Sequence, residues 1–446
     1  MTTSPPKAAG RGLPGSAHQL AHQLARRFAR DPSGQMVVIF ALAMIPIMAA
    51  SGAAVDYGRR NSAKTQLDTA IDGAVLAVIS RKSNTIDASA LTSLETQFRA
   101  EAAKVPGVTI TSFLATPVVN ASTVSLSATY TANVKTTFGG IMNVQNMKIA
   151  GTSAGSRNVM QYINFYLLLD NSPSMGLAAT DSDVANMKRV TPDSCAFACH
   201  QHTYDSNGNV TGDNQNDYYH IAQKNNIKLR IQVLRDSVSA LVDQAKSAMT
   251  LSQQYQMEMW VFNDSSTQTR LQAMTPNLDQ IKSAAPNIDI AYAYQNQADN
   301  QTDFERAIAK MNTTIPASGN GVTAATPIQF LFFVTDGVED TGGSVTNQSA
   351  GFQINSNRFI GPLSPSTCAA LKNKNVRIGI IYTQYLPLYD NGFYNSYVKP
   401  YENNIGPMLK SCASDGFYFP VASGGDITNA MLKLFNAAVA SVKITN

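Results

Sequence analysis

Met36 to Val55 reads MVVIFALAMIPIMAASGAAV, 20 residues without a formal charge, and it constrains the rest of the chain most. As a helix rising about 1.5 Å per residue, such a run crosses the ~30 Å hydrocarbon core of a bilayer. Pro46 is expected to kink it, which membrane helices tolerate. Residues 1–35 carry Lys7, Arg11, Arg26, Arg27 and Arg30 against Asp31, a balance of +4 that equals the net charge of the whole chain. Cations clustered on this side predict a cytoplasmic N-terminus, with everything after Asp56 on the far side of the membrane. A cleaved signal peptide is the rival. The long basic region and the length of the apolar run favour an uncleaved anchor. AHQLAHQLARRFARD, just before the run, is either a basic helix on the membrane surface or a solvated tail that only sets orientation.

Because the chain beyond residue 35 is neutral overall, it lacks the basic face that nucleic-acid binding requires. Charged residues make up only 14% of the chain, against about 25% in an average soluble domain. Asn, Gln, Ser and Thr take their place, an unusual surface for a cytosolic enzyme.

At 446 residues the chain is long enough for two or three domains. After the apolar run, Leu67, Ala70, Ile71, Ala74 and Val78 recur at helical spacing, and Leu91, Leu94, Phe98 and Ala102 mark a second helix ended by Pro106-Gly107. This predicts a helical stem over 56–106. The period then changes to two. VSLSATYTANVK places Val124, Leu126, Ala128, Tyr130, Ala132 and Val134 on one face, a strand buried on one side within a small β-rich module over 107–156. From residue 160 to 446, near-continuous apolar strands such as FLFFV alternate with helical stretches. The expected class is α/β: a doubly wound, mostly parallel sheet covered on both faces. The expected strands are Ile163–Asp170, Gln256–Asn263, Gln329–Asp336, Val376–Thr383 and Phe417–Val421. Residues 177–226 and 341–365 break the rhythm and read as insertions.

The first of those strands ends FYLLLDNSPSMG, setting Asp170, Ser172 and Ser174 at the carboxyl edge, where open α/β sheets bind ligands. QTDFERAI brings Thr302 and Asp303 to a helix start, and LFFVTDG ends a strand in Asp336. Taken singly, these residues are ordinary helix caps or turn residues. Taken together, Asp170, Ser172, Ser174, Thr302 and Asp336 are five hard oxygen donors suited to Mg2+ or Ca2+. The absence of His or Cys among them argues against zinc.

D-x-S-x-S after a strand, a later Thr opening a helix, and a strand ending TDG resemble the metal-ion-dependent adhesion site of von Willebrand factor type A domains. The resemblance implies a metal with one open position, filled by an acidic side chain of a protein partner. Few carboxylates leave such an ion under-neutralised and attractive to an incoming one. The segment RRFARDPSGQMVVIFALAMIPIMAASGAAVDYGRRNSAKTQLDTAIDGAVLA is similar to the amino-terminal part of TadE/TadG-like proteins of Flp (Tad) pilus assembly. Pilin-like relatives carry Glu five residues after the processed glycine. Here Gly34 is followed at that distance by Ile39, so 36–55 reads as a permanent anchor. A TadG-like protein with a type A domain implies a single-pass bacterial inner-membrane protein, its N-terminus cytoplasmic and its C-terminal domain periplasmic, acting in pilus assembly. A metal-free envelope tether or adhesin domain is the alternative. A metal-dependent hydrolase is a third reading, but no histidine neighbours the five donors in sequence.

Four cysteines in an exported region read as two disulfides. CAALKNKNVRIGIIYT and MLKSCASDGFYFPVAS resemble a pair of TadG helices whose cysteines bridge, which implies Cys368–Cys412. CAFACHQH holds Cys195, Cys199, His200 and His202. A local disulfide between its cysteines with solvated histidines, a zinc site that adds His220, and a haem attachment of the wrong spacing are its three readings. DSNGNVTGD has Val210 where a calcium loop requires glycine, so it reads as a β-turn.

Overall fold

The computed structural model describes residues 23, 25–27, 32–263, 268–293, 302–342, 351–355, 358–385, 387, 389 and 392–444. Most of the basic tail before residue 32, and positions 343–350, 356 and 357 of the second expected insertion, lie outside the described residues. The chain divides into two compact units.

The first unit holds residues up to Arg81, Ile86–Val118 and Ser125–Ser156. Helix α1 runs Pro32–Ile79 with Pro46 inside it. Proline removes one backbone donor but does not end this helix. Its first part exposes Met36, Ile39, Phe40, Leu42 and Ile45, and Gln35–Ile79 is long and apolar enough to cross a membrane. Further along, Ala63, Leu67, Ile71, Ala74 and Val78 are buried, as their spacing predicts. Helix α2 (Ala88–Ala102) starts at Asp87, whose Oδ1 accepts the Ala90 N–H at 2.8 Å. Strands β1 (Val108–Val119), β2 (Thr123–Lys135) and β3 (Asn146–Asn158) form a sheet with β2 in the centre. All six apolar residues of the alternating β2 pattern are buried. Phe98 of α2 stacks on Phe113 at 5.2 Å, and the Tyr130 hydroxyl donates to Asp68 of α1 at 2.8 Å. Stem and β-rich module therefore share one core. Asp56 ties them further, its carboxylate accepting N–H bonds from Thr137, Phe138 and Gly139 at 2.7, 2.9 and 2.8 Å.

The second unit is the α/β domain. Strand β4 (Ile163–Asp170) is followed by α3 (Asp181–Val190), a hairpin of β5 (His202–Tyr204) and β6 (Val210–Asp213), α4 (Tyr218–Lys224) and α5 (Arg230–Ala248). Then come β7 (Tyr255–Phe262), β8 (Thr269–Thr275), α6 (Leu278–Ala284), α7 (Phe304–Thr314) and β9 (Ile328–Thr335). A small sheet of β10 (Val338–Thr341), β11 (Phe352–Asn355) and β12 (Arg358–Pro362) precedes α8 (Ala369–Asn373), β13 (Arg377–Thr383), α9 (Glu402–Cys412), β14 (Tyr418–Val421) and α10 (Ile427–Ile444).

The main sheet has the order β14-β13-β9-β4-β7-β8. All its pairings are parallel except the edge pair β7–β8, which is antiparallel. This is the doubly wound type A arrangement, with the first strand of the domain, β4, near the middle. Successive β4 side chains serve opposite cores. Phe165, Leu167 and Leu169 pack with α5, α6 and α10, whereas Tyr166 and Leu168 pack with α7, α8 and α9. The expected strands fall within one residue of the observed ones. Strand β8 was missed because its sequence, TRLQAMT, is only half buried and does not alternate. The expected loop at 341–365 contains β11 and β12, strands of four and five residues, too short to register as a pattern.

Candidate metal centre

Strand β4 is buried on both faces, and its last residue, Asp170, is fully buried at the carboxyl edge. The chain then turns sharply. Ser172 caps a short 3-10 turn over Pro173–Gly176, and its N–H donates to Asp170 Oδ1 at 2.9 Å. The hydroxyls of Ser172 and Ser174 lie 2.8 Å apart. The neighbouring strand β9 ends at Thr335, whose hydroxyl donates to Asp170 Oδ2 at 2.7 Å. Asp336 follows, its Oδ1 accepting the Val338 N–H at 3.4 Å. Gly337 then adopts φ +86°, and a Cβ there would sit 2.4 Å from Ile405 Cγ2, so the turn that aims Asp336 admits only glycine.

Two buried carboxylates thus share one pocket of oxygens. Burial, and next the charge of Asp336, push Asp170 up to about 7. Burial raises Asp336 as well, opposed by the Ser174 hydroxyl and by the guanidinium of Arg230. The Oδ2 atom of Asp336 is buried and accepts no hydrogen bond. A buried acceptor left in this state is costly unless a cation satisfies it. This donor set fits a hard divalent ion.

Thr302, the fifth expected donor, is buried, and its backbone pairs with Asp340 in both directions at 2.9 and 3.0 Å. Asp340 is itself clamped by Arg358 at 2.7 Å. This bridge brings the start of α7 to the strand that follows Asp336. Asp303 caps α7 by accepting the Arg306 N–H at 2.8 Å. Thr335, hydrogen-bonded to Asp170, and Arg230, whose charge reaches Asp336, are two residues of this region that the sequence reading missed. Thr335 could have been found as a buried hydroxyl beside the TDG aspartate. Arg230 carries no local signal, because it is set against Asp336 only by the packing of α5.

Cys368 and Cys412 form a disulfide with a Cα separation of 5.5 Å, joining the start of α8 to the end of α9. The expected Cys195–Cys199 pair is corrected: the two are not bonded to each other. Cys195 Sγ instead accepts the Phe197 N–H of its own turn at 3.4 Å, and burial pushes its thiol up. His200 and His220 come together with Asp213 and Asp217 rather than with the cysteines. His202 stacks on Tyr292, ring centroids 3.6 Å apart. Asp205 turns the DSNGNV loop by accepting the N–H groups of Asn207 and Asn209, the β-turn expected there.

Residues 34–91 match the model of the Flp pilus-assembly TadE/G-like family. A search of curated proteins by sequence finds no match. Among solved structures, the von Willebrand factor domain of a type V pilus tip protein from Porphyromonas gingivalis is 11% identical, with a TM-score of 0.34 over 64% of this chain and 98% of that one. BatB from Bacteroides thetaiotaomicron is 14% identical, with a TM-score of 0.32 over 63% of this chain and 99% of that one. Proximal thread matrix protein 1 from the mussel byssus, with a zinc-occupied MIDAS motif, is 11% identical at a TM-score of 0.33 over 63% of this chain. This chain spans 46% of the byssus protein's length. The chain joins an amino-terminal segment that matches the TadE/G-like family model to a doubly wound α/β domain.

Proposed function

We propose that this is a membrane-anchored, non-enzymatic component of Flp/Tad-type pilus assembly, with a type A domain that captures a protein partner through a divalent cation. Asp170, Ser172, Ser174, Thr302 and Asp336 would hold the ion, Mg2+ or Ca2+. The observation that carries this reading is the pair of buried carboxylates from two adjacent strands, one of them with an oxygen that lacks a donor. When bound, the ion offers an open coordination position to an acidic side chain of the partner. The protein's own part is to prepare that position. The Thr335 hydroxyl orients Asp170, Gly337 turns Asp336 inward, and the serine turn delivers two neutral donors that leave the ion's charge only partly offset. The TadE/G-like segment and the apolar helix support anchoring in the bacterial inner membrane through 36–55. The basic residues before it support a cytoplasmic N-terminus and a periplasmic type A domain.

Arg230 supports a second reading. Its buried guanidinium already attracts Asp336, as it would in a metal-free tether. Thermal unfolding of the full chain in nanodiscs separates the two. A ligand bound only to the native state stabilises it by about 2.7 kcal/mol at a hundred times its Kd. Binding predicts a midpoint that climbs with Mg2+ or Ca2+ in the parent and stays put in Asp170→Ala. An unresponsive parent would leave the tether standing. Envelope pull-downs with and without chelator then test for the partner.

A further inference from the structure

A second cluster of ligating side chains sits in the insertion between β4 and α5. His200 Nδ1 lies 2.9 Å from Asp217 Oδ2, and His220 Nδ1 lies 2.7 Å from Asp217 Oδ1. His220 Nε2 lies 3.2 Å from Asp213 Oδ2, and His200 Nδ1 lies 3.7 Å from Asp213 Oδ1. One ligand atom from each of the four residues falls within 4.8 Å of all the others. His200 and Asp217 are buried, and Asp213 Oδ1 is a buried atom that accepts no hydrogen bond.

Both ring nitrogens of His220 face carboxylate oxygens, Asp217 at Nδ1 and Asp213 at Nε2, so the ligating atoms of the four residues gather in one place. Asp217 also accepts the N–H groups of His220 and Gln201 at 2.9 and 2.7 Å, which fixes its carboxylate there. Two carboxylates concentrate negative charge beside an Asp213 oxygen that no donor reaches, and one divalent ion would offset both.

We propose that His200, Asp213, Asp217 and His220 form a second divalent-cation site, separate from the sheet edge and matched to zinc by its mixed imidazole and carboxylate donors. The ion would staple three pieces of the insertion: the segment at His200, the end of the β5–β6 hairpin, and α4. The staple also reaches the first site. Tyr292 stacks on His200 at 4.1 Å, and the Ala293 N–H donates to the His200 carbonyl at 2.7 Å. Two residues earlier, the Ala291 N–H donates to the Asn171 carbonyl at 2.8 Å, beside Asp170.

The test uses the full chain in nanodiscs, with Asp170→Ala removing the sheet-edge site. After chelation and zinc titration, bound zinc per chain is measured by elemental mass spectrometry. One equivalent is expected to remain and to survive Cys195→Ser. His220→Ala and Asp213→Asn should each weaken zinc about tenfold or more. Asp213 is one-third exposed, so Asp213→Asn is the variant that keeps the fold, verified by circular dichroism. Co2+ in place of zinc should give tetrahedral absorption without a thiolate charge-transfer band. Zinc affinity unchanged in both variants, zinc lost with Cys195→Ser, or no zinc at all would overturn the site.

Discussion

Asp56 and Asp336 are both aspartates with almost no exposed surface, at 2% and 1%, and they behave in opposite ways. Asp56, in the amino-terminal unit, is surrounded by donors: three consecutive backbone N–H groups close on its carboxylate. Asp336, in the type A unit, faces another buried carboxylate and keeps one oxygen without a donor. Burial alone therefore does not mark a functional acid. The supply of donors separates the two: Asp56 organises the chain, and Asp336 is the one that the proposed cation site draws on.

The largest effect is expected where the donors are most numerous. Asp56→Ala leaves three backbone N–H groups without an acceptor and unties α1 from the loop after β2. Hydrogen exchange should show lost protection at residues 137–139, and the thermal midpoint should fall further than for any substitution at the metal centre. Retained protection at those amides would break the contrast. Removing the Cys368–Cys412 bridge with paired serines comes next. It opens a loop of 44 residues, worth about 3–4 kcal/mol in the chain-entropy account. Denaturant unfolding under oxidising and reducing conditions measures it, and the parent under reductant should approach the variant. Gly337→Ala is smaller, at about 1–3 kcal/mol, because φ +86° strains any residue with a Cβ. It should also blunt any cation response by turning Asp336 away.

The same contrast explains which parts of the molecule were legible in the sequence. Strands and helices were readable because burial writes a period: VSLSATYTANVK alternates for one covered face, and FLFFV runs unbroken for two. The candidate donors were readable because each follows or opens a periodic element. Asp56 was visible only as part of a motif; its three donors come from residues some eighty positions away. Arg230 was invisible for the same reason. In CAFACHQH the cysteines read as a local disulfide, with a zinc site as the alternative, but they are not bonded to each other and do not join the ligand cluster. The fold brought in Asp213 and Asp217 from a hairpin end and a helix cap, positions where an aspartate needs no metal to be explained.

The smallest expected effect on stability is the most informative. Asp336→Asn keeps the shape of the side chain and removes one of two like charges buried together. In the absence of a cation it should change stability by about 1 kcal/mol or less, and in the stabilising direction, since it removes one buried charge and the repulsion that adds to burial in raising Asp170. Yet the same variant should lose the rise in melting temperature with Mg2+ or Ca2+. A residue whose loss is harmless to the apo fold but removes the cation response is held in place for binding. Should Asp336→Asn destabilise the cation-free protein as severely as Asp56→Ala, its carboxylate belongs with the structural acids. The open oxygen would then be satisfied from within, the Arg230 guanidinium supplying the attracting charge.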